Sequence, residues 1–384
     1  MAVNVEYFWR IVSSDGRRPG FGNGDRGDVP ASSKAIATGK DGLDAIDYAS
    51  AVARAAELAG FYGALLPTGR QANETWLVSA ALARETRNLH FLIAFQTGFI
   101  QPAYAAQMGA TLQRITNGRV DWNIITGGDA SEQRAQGDYL AHDERYQRTA
   151  DWLRALRTYW NEDNGAHEGP YYRFEGGGLK GRLRAQKLPT IYFSGSSTAA
   201  LEAAAEVGDV HLTWAEPPGH LKEIVSRLTD LAGAAGRTLR FGTRVDIIAR
   251  ETEEEAWADV RKFAKLVDRG TLAQRAAAGP DSTGRARQAA LRAGSVDRIE
   301  DLIVSPNLWA GMNLLGPVPA LVGSYEQVAE RLEEYQDVGL STFILDGAPH
   351  LEEAFRVGQE VLPLLRDRKA GRVLADATGG GLVA

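Results

Sequence analysis

The chain has no cysteine among its 384 residues, and this absence excludes several kinds of chemistry at once. Disulfide bonds, thiol nucleophiles and cysteine-ligated zinc are all ruled out. Histidine is scarce as well. The six histidines show neither the HExxH spacing nor another ligand cadence, so we predict no metal site. Any chemistry must therefore come from elsewhere.

Long apolar runs and basic stretches are also missing. No segment approaches the length of a membrane span, and the start MAVNVEYFWRIVSSDG lacks the features of a secretory signal. A net charge of -6 and a pI near 5.7 argue against nucleic acid or a membrane surface as a partner. With 44% hydrophobic residues and a mean hydropathy of -0.26, the composition is that of an ordinary soluble protein. We expect a cytoplasmic enzyme or binding protein.

What the sequence does contain is a regular alternation of β-rich runs and helical patterns. We predict eight strands, each followed by a helical segment: EYFWRIV, YGALL, LHFLIAF, VDWNII, TIYFS, VHLTW, RFGTRVDII and TFIL. The predicted helices cover residues 45–59, 76–84, 104–115, 146–160, 198–207, 253–267, 325–338 and 351–364. Repeated βα units predict parallel strands with helices outside, and eight of them close into a (β/α)8 TIM barrel.

Two segments interrupt this alternation. Residues 161–188 contain several glycines and aromatic residues, which suggests a small hairpin excursion, and residues 269–299 are rich in Ala, Arg and Gln and suggest an extra helix or a mobile lid. We predict a single domain over residues 1–367 with these two insertions. Residues 368–384 are predicted to be a flexible tail.

Polar and glycine-rich stretches follow most of the predicted strands, where a barrel of this kind has its site. In SGSSTAA, Gly195, Ser196 and Ser197 precede a helix whose free amides and dipole favour a phosphate, although a serine here also serves as an ordinary helix cap. Trp214 after the sixth strand is either core packing or a platform against a ring. His350, after the eighth strand, is by itself more often structural than catalytic.

The seventh strand carries an unusual pair of charges. Arg244 and Asp246 are two residues apart and therefore point to one side, whereas Phe241, Val245 and Ile247 point to the other. The pair is either an ion pair that each member needs in a buried setting, or part of a ligand site with an anionic head and hydroxyls nearby.

Taken together, these stretches resemble one known family. The series PTGRQANETWL, TLQRITNGRVDWNIITGGD, HDERY, FSGSS, LTWAEPP, RFGTRVDIIARET, SPNLWAG and PHLEEAFRVG is similar to the flavin-dependent alkanesulfonate monooxygenases of the bacterial luciferase-like superfamily, in order over nearly the whole chain. The resemblance implies a luciferase-like barrel that uses reduced FMN, supplied by a separate NAD(P)H-dependent FMN reductase, with O2 as co-substrate. An organosulfonate would be converted to sulfite and an aldehyde, and the chain would form a homo-oligomer, a dimer or tetramer.

The resemblance also implies site residues. The positions that match the family's flavin site are Thr126, Gly127, Tyr146, Ser196 and Ser197, and the strand-end residues Thr68, Gln96 and Gly195 complete the predicted cofactor site. The predicted catalytic residues are Trp214, Arg244, Asp246 and His350. Arg10, Ser14 and Arg287 are the predicted substrate-binding residues.

Several positions depart from the family pattern. Asp246 and Ser14 stand where the family has histidines, Ala72 stands where it has a cysteine, and the arginine expected near LLGPVPALVG is absent. Asp246 beside a sulfonate would repel it unless Arg10 and Arg244 outweigh the repulsion. A sulfo-sugar such as sulfoquinovose would instead give Asp246 hydroxyls to accept from. We therefore expect an organosulfonate, with either an alkyl or a sugar tail.

Other functions fit the same barrel. A deazaflavin-dependent dehydrogenase or a monooxygenase acting on a sulfone would use similar strand ends, and only the organosulfonate reaction yields sulfite. A non-catalytic flavin-binding barrel is a third possibility, which the polar groups gathered at the strand ends disfavour.

Overall fold

The computed structural model describes residues 4–11, 45–69, 72–128, 130–264, 283–291, 298–314 and 318–366. Its strands are β1 (Glu6–Arg10), β2 (Gly63–Leu66), β3 (His90–Gln96), β4 (Val120–Ile125), β5 (Gly165–Glu168), β6 (Arg173–Gly177), β7 (Ile191–Ser194), β8 (Val210–Trp214), β9 (Arg240–Arg250), β10 (Ile303–Ser305), β11 (Leu308–Trp309), β12 (Ala320–Ser324) and β13 (Leu340–Asp346).

The helices alternate with these strands. They are α1 (Ala45–Leu58), α2 (Thr75–Leu82), α3 (Pro102–Thr116), α4 (Ala130–Ala135), α5 (His142–Asn161), α6 (Gly181–Arg184), α7 (Thr198–Val207), α8 (Pro218–Ala234), α9 (Glu253–Ala264), α10 (Thr283–Ala290), α11 (Tyr325–Asp337) and α12 (His350–Arg356), the last continued by a π-helical turn at Val357–Val361.

Local sequence sets many of these boundaries. Helix α3 begins at Pro102, and proline is tolerated there because the first N–H groups of a helix have no partner within the helix. The helix is capped by Asn117, whose φ of 57° is the left-handed conformation common at helix ends. Helix α11 begins with a capping box in which Ser324 and Gln327 satisfy each other's backbone N–H groups. Such signals are short-range, which explains why most predicted element boundaries agree with the observed ones within a few residues.

Eight strands form a closed parallel ring in the order β1, β2, β3, β4, β7, β8, β9 and β13, and β13 pairs with β1 to close it. Helices connect successive strands of the ring. The predicted (β/α)8 barrel is confirmed.

Side-chain alternation along the strands divides the buried residues into an outer and an inner set. Trp9 belongs to the outer set and packs in the layer between strands and helices, whereas Phe8 lies inside the barrel. The inner apolar cluster also contains Leu65, Leu92, Leu212 and Ile344.

The amino-terminal end of the barrel is closed by hydrogen bonds. Both Tyr192 (2.7 Å) and Thr342 (3.1 Å) donate to Glu6, which also pairs with Arg240 at 2.9 Å. The barrel interior is therefore filled at the amino-terminal end of the strands, as in other TIM barrels. A site must lie at the carboxyl-terminal end.

The first insertion contains the predicted hairpin, since β5 and β6 form a two-stranded antiparallel sheet. Asp151 of α5 holds it in place by accepting hydrogen bonds from the backbone N–H groups of Tyr171 and Tyr172 and lying 2.9 Å from His167. In the second insertion the structure describes α10. Residues 265–282 and 292–297, and the predicted tail at 368–384, lie outside the described residues.

Two features were not predicted from the sequence. Helix α8 connects β8 to β9, and its apolar signal is sparse because only Leu221, Leu228 and Ala232 are buried. Strand β9 is also longer than a barrel requires: from Asp246 onward it pairs with β12, which pairs antiparallel with β11, and β11 in turn pairs antiparallel with β10. No helix in the described part of the chain is long and apolar enough to cross a membrane.

Candidate active site at the barrel mouth

The carboxyl ends of the eight barrel strands, here called the barrel mouth, gather most of the residues that the sequence singled out. Arg10, Gln96, Trp214 and Asp346 end four of these strands, and Arg244 lies beside them on β9. Because β9 and β13 are in register, Asp246 pairs with Asp346 across neighbouring strands. Two carboxylates directly opposite each other repel, so the cluster needs cations between them.

Arg10 and Arg244 supply those cations, and both contact the same carboxylate. Oδ2 of Asp346 lies 3.1 Å from Nη1 of Arg10 and 3.3 Å from Nη2 of Arg244. The predicted contact between Arg244 and Asp246 is present at 3.9 Å and is longer than the contact between Arg244 and Asp346. The ion pair expected within β9 is thus secondary to one that crosses to β13.

The burial of these four side chains shows which groups face the opening. Asp346 and Asp246 are 0% and 3% exposed, whereas Arg10 and Arg244 are 11% and 15% exposed. The two arginine side chains are therefore more accessible than the carboxylates that they contact.

His350 belongs to the same cluster. Its Nδ1 lies 3.1 Å from Oδ1 of Asp346, and its backbone carbonyl accepts a hydrogen bond of 3.0 Å from Nε1 of Trp9. The ring is buried. Asp346 consequently contacts Arg10, Arg244 and His350 at once.

The loop between β7 and α7 forms a second part of the site. Ser197 is the N-cap of α7, since its Oγ accepts a hydrogen bond of 3.2 Å from the N–H of Ala200. A hydroxyl that accepts in this way still carries a hydrogen that it can donate, so capping and phosphate binding are compatible. Gly195 has a φ of 144°, and a Cβ there would lie 2.4 Å from Oη of Tyr146. Only glycine fits beside that phenol.

Tyr146 joins this loop to the one after β4. Its phenol hydrogen-bonds with the side chain of Thr126, and burial raises its pKa although that hydrogen bond opposes the shift. Because the pKa of the phenol is raised, Tyr146 is neutral at physiological pH.

Gly127, next to Thr126 in this loop, has a φ of 88°, and a Cβ there would lie 2.3 Å from the side chain of Gln133.

Arg145 fixes the backbone of the same loop. Its buried guanidinium donates hydrogen bonds to the carbonyls of Thr126 (3.1 Å), Gly127 (3.3 Å) and Leu140 (2.8 Å). Three carbonyl contacts from one planar group leave little freedom to the loop that carries Thr126 and Gly127.

Gln96 and Thr68 lie at the ends of β3 and β2. Oε1 of Gln96 is buried and has no hydrogen-bond partner among the described residues, so it offers an acceptor to a ligand at the mouth. Thr68 is exposed. Close to Gln96 in the barrel order, the Ser194 hydroxyl donates to Oδ1 of Asn123 at 3.3 Å, which adds polar groups to the inner wall.

Helix α10 covers one side of the mouth. A Cβ on Gly284 would lie 3.5 Å from both the Ser196 hydroxyl and the Trp214 ring. Arg287 forms a two-pronged ion pair with Glu216 at 2.8 and 2.6 Å. The predicted substrate residue Arg287 is thus engaged by a carboxylate, and Trp214 lies beneath the helix. Ser14 lies outside the described residues.

No group of three or more potential metal ligands is found in the described ranges. The site instead consists of a glycine–serine loop at a helix start, a neutral phenol, an unpartnered amide oxygen and a cluster of two arginines with two aspartates. This set of donors and acceptors is suited to an organic ligand that carries a phosphate and polar ring atoms.

Comparison with known proteins decides the family. The model of the family described as luciferase-like monooxygenase matches residues 26–342, which is most of the chain. The chain belongs to this family. The match does not distinguish the alkanesulfonate monooxygenases, which the sequence motifs resemble, from other members of this family.

Solved structures with the same fold support the architecture. A riboflavin lyase determined with modified FMN and riboflavin superposes with a TM-score of 0.73 at 20% identity, over 95% of this chain and 92% of that one. A long-chain alkane monooxygenase gives 0.73 at 19% identity, over 96% and 92%. EDTA monooxygenase from Chelativorans sp. BNC1 gives 0.71 at 18% identity, over 95% and 94%. At these identities the similarity shows the fold alone.

Three residues of this luciferase-like monooxygenase were missed by sequence reasoning. Asp346, Arg145 and Glu216 each lie in or just before a stretch that the resemblance includes, which are PHLEEAFRVG, HDERY and LTWAEPP. The available signal was a charged residue at a strand end or on a buried helix face. Their partners are distant in sequence, so their importance became clear only in the folded chain.

Proposed function

We propose that the protein is a two-component, flavin-dependent monooxygenase that uses reduced FMN and O2 to cleave an organosulfonate into sulfite and an aldehyde. The observation that carries the proposal is the conjunction at one barrel mouth of a phosphate-type loop and two arginines. Membership of the luciferase-like monooxygenases makes oxygen insertion the expected reaction class.

The residues present fit FMN. The Ser196 and Ser197 hydroxyls and the free amides at the start of α7 would hold the phosphate. The buried Oε1 of Gln96 and the phenol of Tyr146 would meet polar atoms of the ring. When bound, reduced FMN would supply the two electrons that allow one atom of O2 to enter the substrate and the other to leave as water.

Arg10 and Arg244 would bind the sulfonate. A guanidinium presents paired N–H donors that match two oxygens of such a group, and partial burial strengthens these charge-assisted hydrogen bonds. Trp214 and α10 would exclude water from that end of the mouth. The part of the substrate beyond the sulfonate is either an alkyl chain or a sugar. A sugar would place hydroxyls where Asp246 can accept hydrogen bonds from them.

The remaining parts of the proposal follow from the same assignment. An NAD(P)H-dependent FMN reductase would provide the reduced cofactor, because the chain contains one phosphate-type loop and no recognisable second nucleotide motif. The chain would act in the cytoplasm as a homo-oligomer, a dimer or tetramer, with residues 1–367 as one domain.

The test is sulfite release. Purified protein is mixed with FMN, a generic FMN reductase, NADH and O2, and sulfite is measured across alkyl, aromatic and sugar sulfonates. Sulfite formation that requires both the reductase and O2 is the expected result. No sulfite from any of the three classes would refute the organosulfonate assignment.

A second candidate is a monooxygenase of the same type that acts on a neutral sulfur compound such as a sulfone. The observation that favours it is the pair of buried carboxylates, Asp246 and Asp346, beside the two arginines. In the same assay, reductase-dependent release of formaldehyde from dimethyl sulfone, with no sulfite from any sulfonate, would support this candidate, because free reduced flavin consumes O2 even without a substrate. A deazaflavin-dependent dehydrogenase would instead reduce its cofactor without O2.

A further inference from the structure

The charged cluster at the barrel mouth contains carboxylates as well as guanidiniums. Among the residues that the structure describes, Arg10 and Arg244 bring two positive charges, and Asp246 and Asp346 bring two negative charges. A pocket selected only for a strong anion would not need two buried carboxylates at 0% and 3% exposure within contact of its arginines.

We propose that Asp346 is the residue that sets the charge selectivity of the mouth. Its carboxylate cancels much of the guanidinium charge, so that an anionic head group gains less from Arg10 and Arg244 than two unopposed arginines would give. The preference of the mouth for an anionic over a neutral sulfur group of the same shape is then set by this carboxylate. This inference rests on the proposed function, because it concerns the substrate end of the same site.

Asp346 carries this role rather than Asp246 for geometric reasons. One oxygen of Asp346 lies close to both guanidiniums, at 3.1 and 3.3 Å, whereas the contact between Asp246 and Arg244 is longer, at 3.9 Å. Asp346 is also the more deeply buried, so neither water nor salt screens its charge well. Its second oxygen lies 3.1 Å from Nδ1 of His350, so the carboxylate has three close polar neighbours.

Methanesulfonate and dimethyl sulfone are suitable probes because they are nearly the same size and differ by one charge. Binding of each is measured by titration calorimetry on the full chain, with and without oxidised FMN. The variants are Asp346→Asn, Arg10→Gln and the double variant, and Asp246→Asn is the matched control. Thermal melting of each variant establishes that it is folded.

We expect Asp346→Asn to bind methanesulfonate about tenfold more tightly or better, since one buried charge near an anion is removed. Arg10→Gln should weaken methanesulfonate binding by about tenfold, because it removes a positive charge near the anion. The double variant has the same net charge as the original protein. Its affinity for methanesulfonate should therefore lie within about threefold of the original affinity. Asp246→Asn should change methanesulfonate affinity less than Asp346→Asn, and dimethyl sulfone should bind all variants alike.

A purely structural role for Asp346 gives a different pattern. The inference would be overturned if Asp346→Asn bound neither probe. It would also be overturned if the double variant bound methanesulfonate more weakly than either single variant. Should Asp346→Asn fail to fold, Arg10→Gln compared with the double variant still isolates the carboxylate, and equal affinities there would also overturn it. Because binding is measured without turnover, absence of sulfite release would count against the proposed function alone.

Discussion

Ser196 and Ser197 allow phosphate binding to be separated from helix capping. Ser197 Oγ caps α7 by accepting from the N–H of Ala200 at 3.2 Å, and within the described part of the chain Ser196 has no capping hydrogen bond. Ser196→Ala should therefore weaken FMN binding with no loss of stability. Ser197→Ala should weaken FMN binding and also destabilise the fold.

The magnitudes follow from the two kinds of hydrogen bond. A hydrogen bond to a charged acceptor contributes about 1.5–3 kcal/mol, which corresponds to roughly a tenfold to hundredfold change in the FMN dissociation constant. We expect the lower end because both serines are only partly buried. Loss of the cap in Ser197→Ala should cost about 1 kcal/mol of folding stability.

Ser197→Asp provides the sharpest variant. Aspartate is as good an N-cap as serine and is favoured at a helix start, so stability should be unchanged. Its carboxylate would face the phosphate of FMN and repel it, which should raise the dissociation constant by at least about tenfold. A residue that only caps the helix would tolerate this change.

Binding is measured by quenching of flavin fluorescence, with riboflavin as the matched ligand because it lacks the phosphate. Stability is measured by urea unfolding. The serine variants should lose FMN affinity and keep riboflavin affinity. If Ser197→Asp binds FMN as the original protein does, or if Ser196→Ala weakens both flavins equally, the phosphate assignment is wrong.

Three further predictions concern other parts of the molecule. Arg244→Lys should lower kcat/KM on sulfonates at least about tenfold while the melting temperature changes little, because lysine cannot make the two-pronged contact; activity near that of the original would contradict the role. Arg145→Lys should raise the FMN dissociation constant about tenfold, since one ammonium cannot serve the carbonyls of Thr126, Gly127 and Leu140 together; unchanged FMN affinity would show that this loop does not bind the cofactor. Burial lowers the pKa of His211 from 6.5 to about 4, so the unfolded chain binds the extra proton first and stability falls as the pH drops below 6.5. Urea unfolding at pH 7.5 and 5 should show about 2 kcal/mol of loss from this group, absent in His211→Leu; an equal loss in both proteins would assign the pH dependence to other groups.

Much of the fold was determined by the sequence alone. Strands β4 and β8 and helix α7 have the bounds that hydrophobic pattern and helix propensity predict. Alternation along β9 correctly placed Arg244 and Asp246 on one face and Phe241, Val245 and Ile247 in the outer core. These features depend on residues a few positions apart, and such information is present in a linear sequence.

The partners within the site were decided by tertiary structure. Arg244 lies two residues from Asp246, yet its shorter contact is to Asp346, 102 residues away, and Arg10 reaches the same carboxylate across 336 residues. That convergence requires the barrel to close between β1 and β13 and the register of β13 on β9 to place Asp346 beside Asp246. Hydrophobic periodicity specifies which face of a strand is buried. It does not specify which long, flexible arginine meets which carboxylate, because that depends on strand neighbours and register that only the folded barrel establishes.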